Sequence, residues 1–282
     1  MHKRSVQTSI EQLCESPFPV NRLITLTSDF GLHDAYVGIM KGVILTIAPE
    51  ARLIDITHSI SPQDVMEAAF VLKNAIPYFP PNTIHLAVVD PGVGTERRAI
   101  AIRKDQHWFV GPDNGLFSLV LNGTPPDEIV ELNDPTYWLT DQPSDTFHGR
   151  DIFAPIAANL ALEKPLNVLG TPIESIKPLN WVLPIADKEG IRGWVVHVDR
   201  FGNCITNISR ELINKQRNGK AVKCYVGSSI LDKIENTYGA SVAGEPLMLF
   251  DSNELLEIAV NSGNASSLLN IRKGSAVDLV FS

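Results

Sequence analysis

The spacing of apolar positions along this chain changes near residue 180. Before that point, strand-like and helix-like patterns alternate. Leu23 to Leu26 predicts a strand that runs into the polar stretch TSDFGLHD (27–34). Tyr36, Val37, Ile39, Met40, Val43, Ile44 and Ile47 then recur at helical spacing until Pro49. Arg52 to Thr57 predicts a second strand. Ser61 as N-cap, Pro62 at the first helical position and Asp64 in the first turn predict a second helix through Val65, Ala68, Ala69 and Leu72 to about Tyr78. A third apolar strand, Ile84 to Val89, follows. The order βαβαβ predicts an α/β domain with a mostly parallel sheet sandwiched by helices.

Past Arg98 another apolar strand reaches Arg103, turns at Lys104-Asp105-Gln106 and returns as HWFVGPDNG (107–115). A short helix at Leu116–Leu121, a short strand at Ile129–Leu132 and a clear helix within TFHGRDIFAPIAANLAL (146–162) complete this half, with His148 and Gly149 at the helix start. Residues 170–184 are rich in proline and polar residues. From Gly190 the segments are short, alternating and β-branched: Gly193 to Val198, Cys204 to Ile208, Ala221 to Val226, Pro246 to Phe250, Leu255 to Val260 and Ala276 to Phe281. They predict a smaller, all-β barrel-like domain. The expected division is a flexible arm at 1–20, an α/β domain at 21–180 and a β-barrel domain at 181–282.

Composition narrows the function classes. The chain has 282 residues, 44% of them hydrophobic and 20% charged, enough for two cores. A net charge of −8 argues against nucleic acid or an anionic membrane as the main partner. No apolar run has the length of a membrane span, and residues 1–20 lack the apolar core of a secretory signal. Three widely spaced cysteines, Cys14, Cys204 and Cys224, show neither a disulfide framework nor zinc spacing. A cytoplasmic protein is expected.

The candidate chemistry centres on VVDPGVGTERRAIAI (88–102). Asp90 falls at the carboxyl end of a buried strand, where open α/β sheets place their ligand crevices. Gly92 and Gly94 permit a tight return, and Arg97, seven residues on, is able to fold back onto Asp90; a surface ion pair across a hairpin is the competing reading. Asp29 also follows a strand and precedes Gly31, while Asp34 reads as a helix cap. GxGxxG, P-loop and GxSxG patterns are absent. Asp29, Asp34, Asp55, His58, Asp90 and His148 are metal-ligand types, but no HxH, HxxE or DxD spacing puts two of them on one local face, so metal-dependent hydrolysis is the second reading. Asp90, Arg97 and His148 suit a metal-free site that holds a water and stabilises a hydroxide-like species. In HVDRFGNCITNI (197–208), Phe201 offers a face for a flat ring and Asn203 hydrogen bonds, unless this is only a turn with one aromatic.

Taken together, TSDFGLHDAYVG, VVDPGVGTERRAIAI, GPDNGLF, TFHGRDIFAPIAA, DRFGNCITNI and EIAVNSGNA resemble the S-adenosyl-L-methionine (SAM) hydroxide adenosyltransferases, relatives of fluorinase and chlorinase. The resemblance spans residues 22–282. It implies hydrolysis of SAM to adenosine and L-methionine without metal or cofactor. It also implies a homotrimer whose active sites lie between the N-terminal domain of one subunit and the C-terminal domain of the next. The family's catalytic triad falls on Asp90, Arg97 and His148, with Arg98 adjacent to the arginine. Its ribose-binding aspartate falls on Asp29, and its adenine contacts fall on Phe201, Asn203 and the backbone around Asn261 and Ser262. Gly149 aligns with a halide-holding serine of the halogenases, which favours hydrolysis here. Asp199, one residue from the aspartate that takes the amino group in fluorinase, and Ser252 complete the implied substrate contacts. Other classes kept in view are a metal-dependent nucleotide hydrolase and a non-catalytic SAM- or adenosine-binding module.

Overall fold

The computed structural model describes residues 23–180 and 182–282. The expected arm at 1–20 and Cys14 lie outside them. By internal contacts the chain divides into two units, Met1–Asn180 and Trp181–Ser282.

In the first unit β1 (Leu23–Ser28), α1 (Tyr36–Ile47), β2 (Arg52–Thr57), α2 (Val65–Ala75) and β3 (Ile84–Val88) follow the βαβαβ order. α2 starts later than Ser61-Pro62 predicts. Gln63 takes a left-handed φ of 65°, which breaks the helical path, and Asp64 is the cap, accepting from the Glu67 amide. β4 (Ala99–Lys104), β5 (His107–Pro112), α3 (Ser118–Leu121), β6 (Glu128–Glu131), a π-helical turn at Gly149–Phe153, α4 (Ala154–Ala161) and β7 (Thr171–Pro172) complete the unit.

The seven strands lie in the order β2-β1-β3-β5-β4-β6-β7. The expectation of a mostly parallel sheet is corrected. β1 pairs in parallel with β2 and β3, and β3 with β5, but β4–β5, β4–β6 and β6–β7 are antiparallel. The cause is local. Asp105 and Gln106 both adopt positive φ, 48° and 65°, so β4 and β5 are joined by a tight hairpin, which permits only antiparallel pairing. β5, not β4, sits beside β3, so Asp90 and Arg97 do not face each other across a hairpin.

Period-two alternation separates two cores. Ile24, Leu26, Leu86, Val88, Ala99 and Ala101 pack with Met40 and Ile44 of α1 and with Ile156 and Leu160 of α4. Ala87, Val89, Ile100, Ile102 and Phe109 pack with Ala68 and Leu72 of α2 and Leu121 of α3. This second face is covered by α2, a 3-10 turn, the four-residue α3 and the loop residues Ile173 and Ile176, so the sheet is not cleanly sandwiched between helices. At the centre of the sheet His85 is fully buried, with Nδ1 2.8 Å from Thr25 Oγ1 and Nε2 3.2 Å from His107 Nδ1. Burial, aided by the neighbouring His107, pushes His85 down to about 3, so its ring is neutral.

The second unit carries β8 (Ile185–Ala186), β9 (Gly190–Val198), β10 (Cys204–Ser209), β11 (Val222–Val226), β12 (Ser229–Leu231), β13 (Ile234–Glu235), β14 (Pro246–Phe250), β15 (Leu255–Val260) and β16 (Ala276–Phe281). They form a nearly closed barrel-like sheet in the order β12-β11-β16-β9-β10-β15-β14-β13, with β8 on β9. Val222, Cys224 and Val226 point inward while Lys223 and Tyr225 point out, as half-buried strands require. The unit departs from the all-β expectation through α5 (Arg210–Arg217) and α6 (Ala265–Leu268). α5 has few apolar residues, so periodicity hides it. Its signals are at its ends: Ser209 accepts from the Leu212 amide, Glu211 lies in the first turn, and Lys215 and Arg217 lie in the last. Cys204 and Cys224 are free and buried, and burial pushes both thiols up to about 12, leaving them inert. Among the described residues no helix is long and apolar enough to cross a membrane.

Candidate active site

β1 and β3 are parallel neighbours with Ser28 opposite Val88, so Asp29, directly after β1, and Asp90, two residues past the end of β3, both leave the sheet at its carboxyl edge. Asp90 opens a tight turn in which the Val93 amide bonds to the Asp90 carbonyl and Thr95 Oγ1 to the Gly92 carbonyl. The turn brings Arg97 back. Its Nε lies 3.0 Å from both Asp90 carboxylate oxygens and its Nη2 2.5 Å from Oδ2. The same Nη2 is 2.7 Å from His148 Nδ1. Arg98 points elsewhere, to Asp113 at 2.6 and 2.9 Å, and Asp113 also accepts from the Lys177 amide. Asn114 of GPDNG donates to the Val89 carbonyl at 2.8 Å, steadying the peptide that leads into Asp90.

A guanidinium has no acceptor, so His148 Nδ1 must accept and its proton must sit on Nε2. The Asp90 and Arg97 side chains are only 6% and 9% exposed, and Arg97 lies 5.3 Å over the Phe153 ring. Burial, followed by the Arg97 charge, holds His148 below its ordinary value against the opposing pull of Asp90, Asp151 and Asp145. The group is therefore an ion pair with a neutral imidazole on its far side.

His148 stands just before the π turn, and Gly149 opens it. A Cβ at Gly149 would come within 3.1 Å of both Met40 Sδ and the Phe147 ring, so a larger residue there must displace them. Asp29, Asp90, His148 and Gly149 line one cavity of about 380 Å³. Residues not singled out from sequence also line it. The Gln63 amide donates to Asp29 Oδ2 at 2.8 Å, and Phe30, Tyr36 and Phe147 form a triangle with ring centroids 5.1 to 5.9 Å apart. Tyr36 has helical spacing typical of a core residue but is 46% exposed.

The second unit has a pocket of about 640 Å³ lined by Asp199, Phe201, Asn203, Tyr238 and Ser262 among others. Asp199 is the hub of its own turn: Oδ1 accepts from the Phe201 and Asn203 amides and Oδ2 from Asn203 Nδ2. Gly202, at φ 85°, lies so close to the Asn264 side chain that any Cβ would clash at 2.1 Å. Phe201 is 76% exposed. Tyr238, not singled out from residue order, donates to the buried Glu257 at 2.8 Å. Burial raises Glu257 above its ordinary value, and Asp199 and Asp251 add to this. Asn261 and Ser252 are not on this lining. Asn261 donates to the Ser241 carbonyl and accepts from Ser262 Oγ, and Ser252 is exposed in the turn after β14. The metal-ligand candidates do not converge: among the described residues no three His, Cys, Asp or Glu side chains are grouped to hold an ion.

Comparison with known proteins places both units. The N-terminal domain of SAM hydroxide adenosyltransferases matches residues 24–170, and the C-terminal domain matches residues 193–278. The chain is 40% identical over 270 residues to an (R)-S-adenosyl-L-methionine hydrolase of Thermus thermophilus, covering 92% of this chain and 100% of that one. It is 35% identical to the enzyme of the same name from Methanocaldococcus jannaschii, covering 92% and 96%. A fluorinase of an Actinoplanes species is more distant, at 26% identity over 91% and 97%. A crystal structure described as an uncharacterized conserved protein from Thermotoga maritima superposes with a TM-score of 0.84 at 39% identity, covering 91% of this chain and 99% of that one. With both domains matched in order across most of its length, the chain belongs to the SAM hydroxide adenosyltransferase family.

Proposed function

We propose that this protein hydrolyses SAM, with water attacking C5′ and the C5′–S bond breaking to give adenosine and L-methionine. The observation that carries the reading is the half-buried, side-chain-bonded group of Asp90, Arg97 and His148, whose carboxylate and imidazole line the cavity that Asp29 also lines. The names of the relatives support the substrate and make the (R)-sulfonium epimer the form to test first.

The chemistry divides unevenly between the partners. The C5′–S electron pair leaves on sulfur as a neutral thioether, so the leaving group needs no acid, and water is the weak partner. Asp90 keeps acceptor capacity beyond its bonds to Arg97 and takes a hydrogen bond from the water, aiming its lone pair at C5′. Arg97 fixes that carboxylate and balances its charge, and neutral His148 holds the guanidinium from the other side. One water proton is released to solvent, so SAM and water give adenosine, methionine and H⁺. Asp29 is assigned to the ribose hydroxyls. Phe201, Asn203 and the backbone around Asn261 and Ser262 are assigned to adenine, joined by Tyr238, and Asp199 and Ser252 to methionine. Gly149 offers no hydroxyl to hold a halide, which favours water as nucleophile. No metal or cofactor takes part. The resemblance also implies a homotrimer with active sites at subunit interfaces, which sedimentation would test.

Incubating the purified protein with each SAM epimer in EDTA tests the reading. Adenosine and methionine should appear in equal amounts. Activity lost to EDTA and restored by a divalent ion would mean a metal-dependent nucleotide hydrolase. Tight binding of SAM without product would mean a binding module.

A further inference from the structure

The sequence DITHSISPQD contributes Asp55 and His58 to the metal-ligand candidates, yet neither lines the cavity. They belong instead to a chain of polar contacts behind it. His58 is buried; its Nδ1 lies 2.7 Å from Ser28 Oγ, and its carbonyl accepts the Gly31 amide at 2.7 Å. The Phe30 amide donates to Ser28 Oγ at 3.3 Å. His58 Nε2 lies 3.1 Å from Asp55 Oδ1, a bent contact, and no better partner meets that buried nitrogen among the described residues. Asp55 Oδ2 accepts from Lys41 Nζ at 2.6 Å.

The donors and acceptors run in one direction. Burial opposes ionisation of Asp55, but the hydrogen bond from Lys41 and the close contact with His58 outweigh it and hold the carboxyl below its ordinary value. An anion beside Nε2 keeps the imidazole proton there and leaves Nδ1 as acceptor. The Ser28 hydroxyl therefore donates to His58 and accepts from Phe30. Serine, histidine and aspartate are also the residue types of a nucleophilic relay, but Ser28 is 1% exposed and presents no oxygen to a ligand. What the chain does hold is both flanks of Asp29: Ser28 before it, and the Phe30 and Gly31 amides after it.

We propose that Lys41, Asp55, His58 and Ser28 are positioning residues that fix the Asp29 carboxylate for a ligand's vicinal diol, an inference that rests on the assignment of Asp29 to the ribose. A carboxylate that must meet two adjacent hydroxyls has to be held within about 0.5 Å. Asp29 has one bond of its own to do this, from the Gln63 amide. The relay supplies the rest through the backbone on either side.

Steady-state kinetics with SAM and calorimetric titration with adenosine test the relay on Ser28→Ala and Asp55→Ala. In each variant KM for SAM and Kd for adenosine should rise about fivefold or more, the scale of one lost hydrogen bond, while kcat stays nearly unchanged. Asp55→Asn, which keeps an acceptor for Nε2, should recover most of the loss. In an Asp29→Ala background neither substitution should weaken binding further, because the relay acts through Asp29. The Asp55 side chain is 35% exposed, so Asp55→Ala carries the test even if Ser28→Ala does not fold. Unchanged KM and Kd in Asp55→Ala, or losses that add to that of Asp29→Ala, overturn the relay. If Asp29→Ala itself binds adenosine as well as wild type, the ribose assignment falls and takes the relay with it.

Discussion

In the first unit Asp90, Arg97 and His148 are tied to one another, whereas in the second Asp199 and Asn203 are tied into their own loop and an aromatic ring is left exposed. Asp90, Arg97 and His148 bond side chain to side chain, and the side chains of the ion pair are largely withdrawn from solvent. Asp199 directs its carboxylate into its own turn, and Phe201 stands 76% exposed beside it. On the proposed function, the difference separates two tasks. Aiming a water requires charges whose positions are set before the substrate arrives. Receiving a flat heterocycle requires an open face and a loop that keeps its shape.

Three experiments sharpen or break that contrast. Asp90→Ala should lower kcat by about 10²–10⁴-fold, the usual scale for a positioned acid–base group, with adenosine affinity nearly intact. An equal loss of adenosine affinity would make Asp90 a binding residue and dissolve the division. Phe201→Ala should weaken adenosine binding by about 1–3 kcal/mol, the range for a base stacked on an aromatic ring, while kcat at saturating SAM hardly changes. A fall in kcat at unchanged affinity would move the chemistry into the second unit.

The third and smallest effect concerns protons, where the two units should respond with opposite sign. His85 has a depressed folded value, so the unfolded chain binds more protons between about 3 and 6.5, and stability in the first unit falls as pH drops through that window. Glu257 has a raised folded value, so its contribution is complete below the ordinary glutamate range and is lost as pH rises through the folded value. A single such group changes stability by at most about 1.4 kcal/mol per pH unit. Hydrogen exchange at pH 6.5 and 5.5 should show β3 and β5 losing protection on acidification while β15 does not. Parallel changes in both units would contradict these burial effects.

Much of this was legible from residue order. The βαβαβ pattern, the strand ends carrying Asp29 and Asp90, and the seven-residue return to Arg97 are local and follow from periodicity and turn chemistry. Sequence left Arg97 and Arg98 as neighbours; the structure sends one to Asp90 and the other to Asp113. What stayed hidden depended on partners distant in sequence. No periodicity tells that β5 displaces β4 beside β3, because strand order is a choice among equally apolar strands. Tyr36 fits a helix stripe whether it faces core or cavity. α5 has too little apolar surface to register, and Tyr238 shows its place only through Glu257, nineteen residues on. His58 read as a loose metal candidate because Ser28 lies thirty residues away.

The π turn at Gly149–Phe153 makes the length of the chain, and not only its residue types, part of the site. Such a turn holds one residue more than an α turn, and each residue swings the next side chain by about 100° around a helix. His148 therefore faces Arg97 because the segment between it and Ala154 is one residue longer than a continuous α-helix would need. Deleting any single residue there should turn the imidazole away from Arg97 with every side chain of the group still encoded. The length of this short segment thus shapes the site in its own right, separately from the identity of the residues it contains.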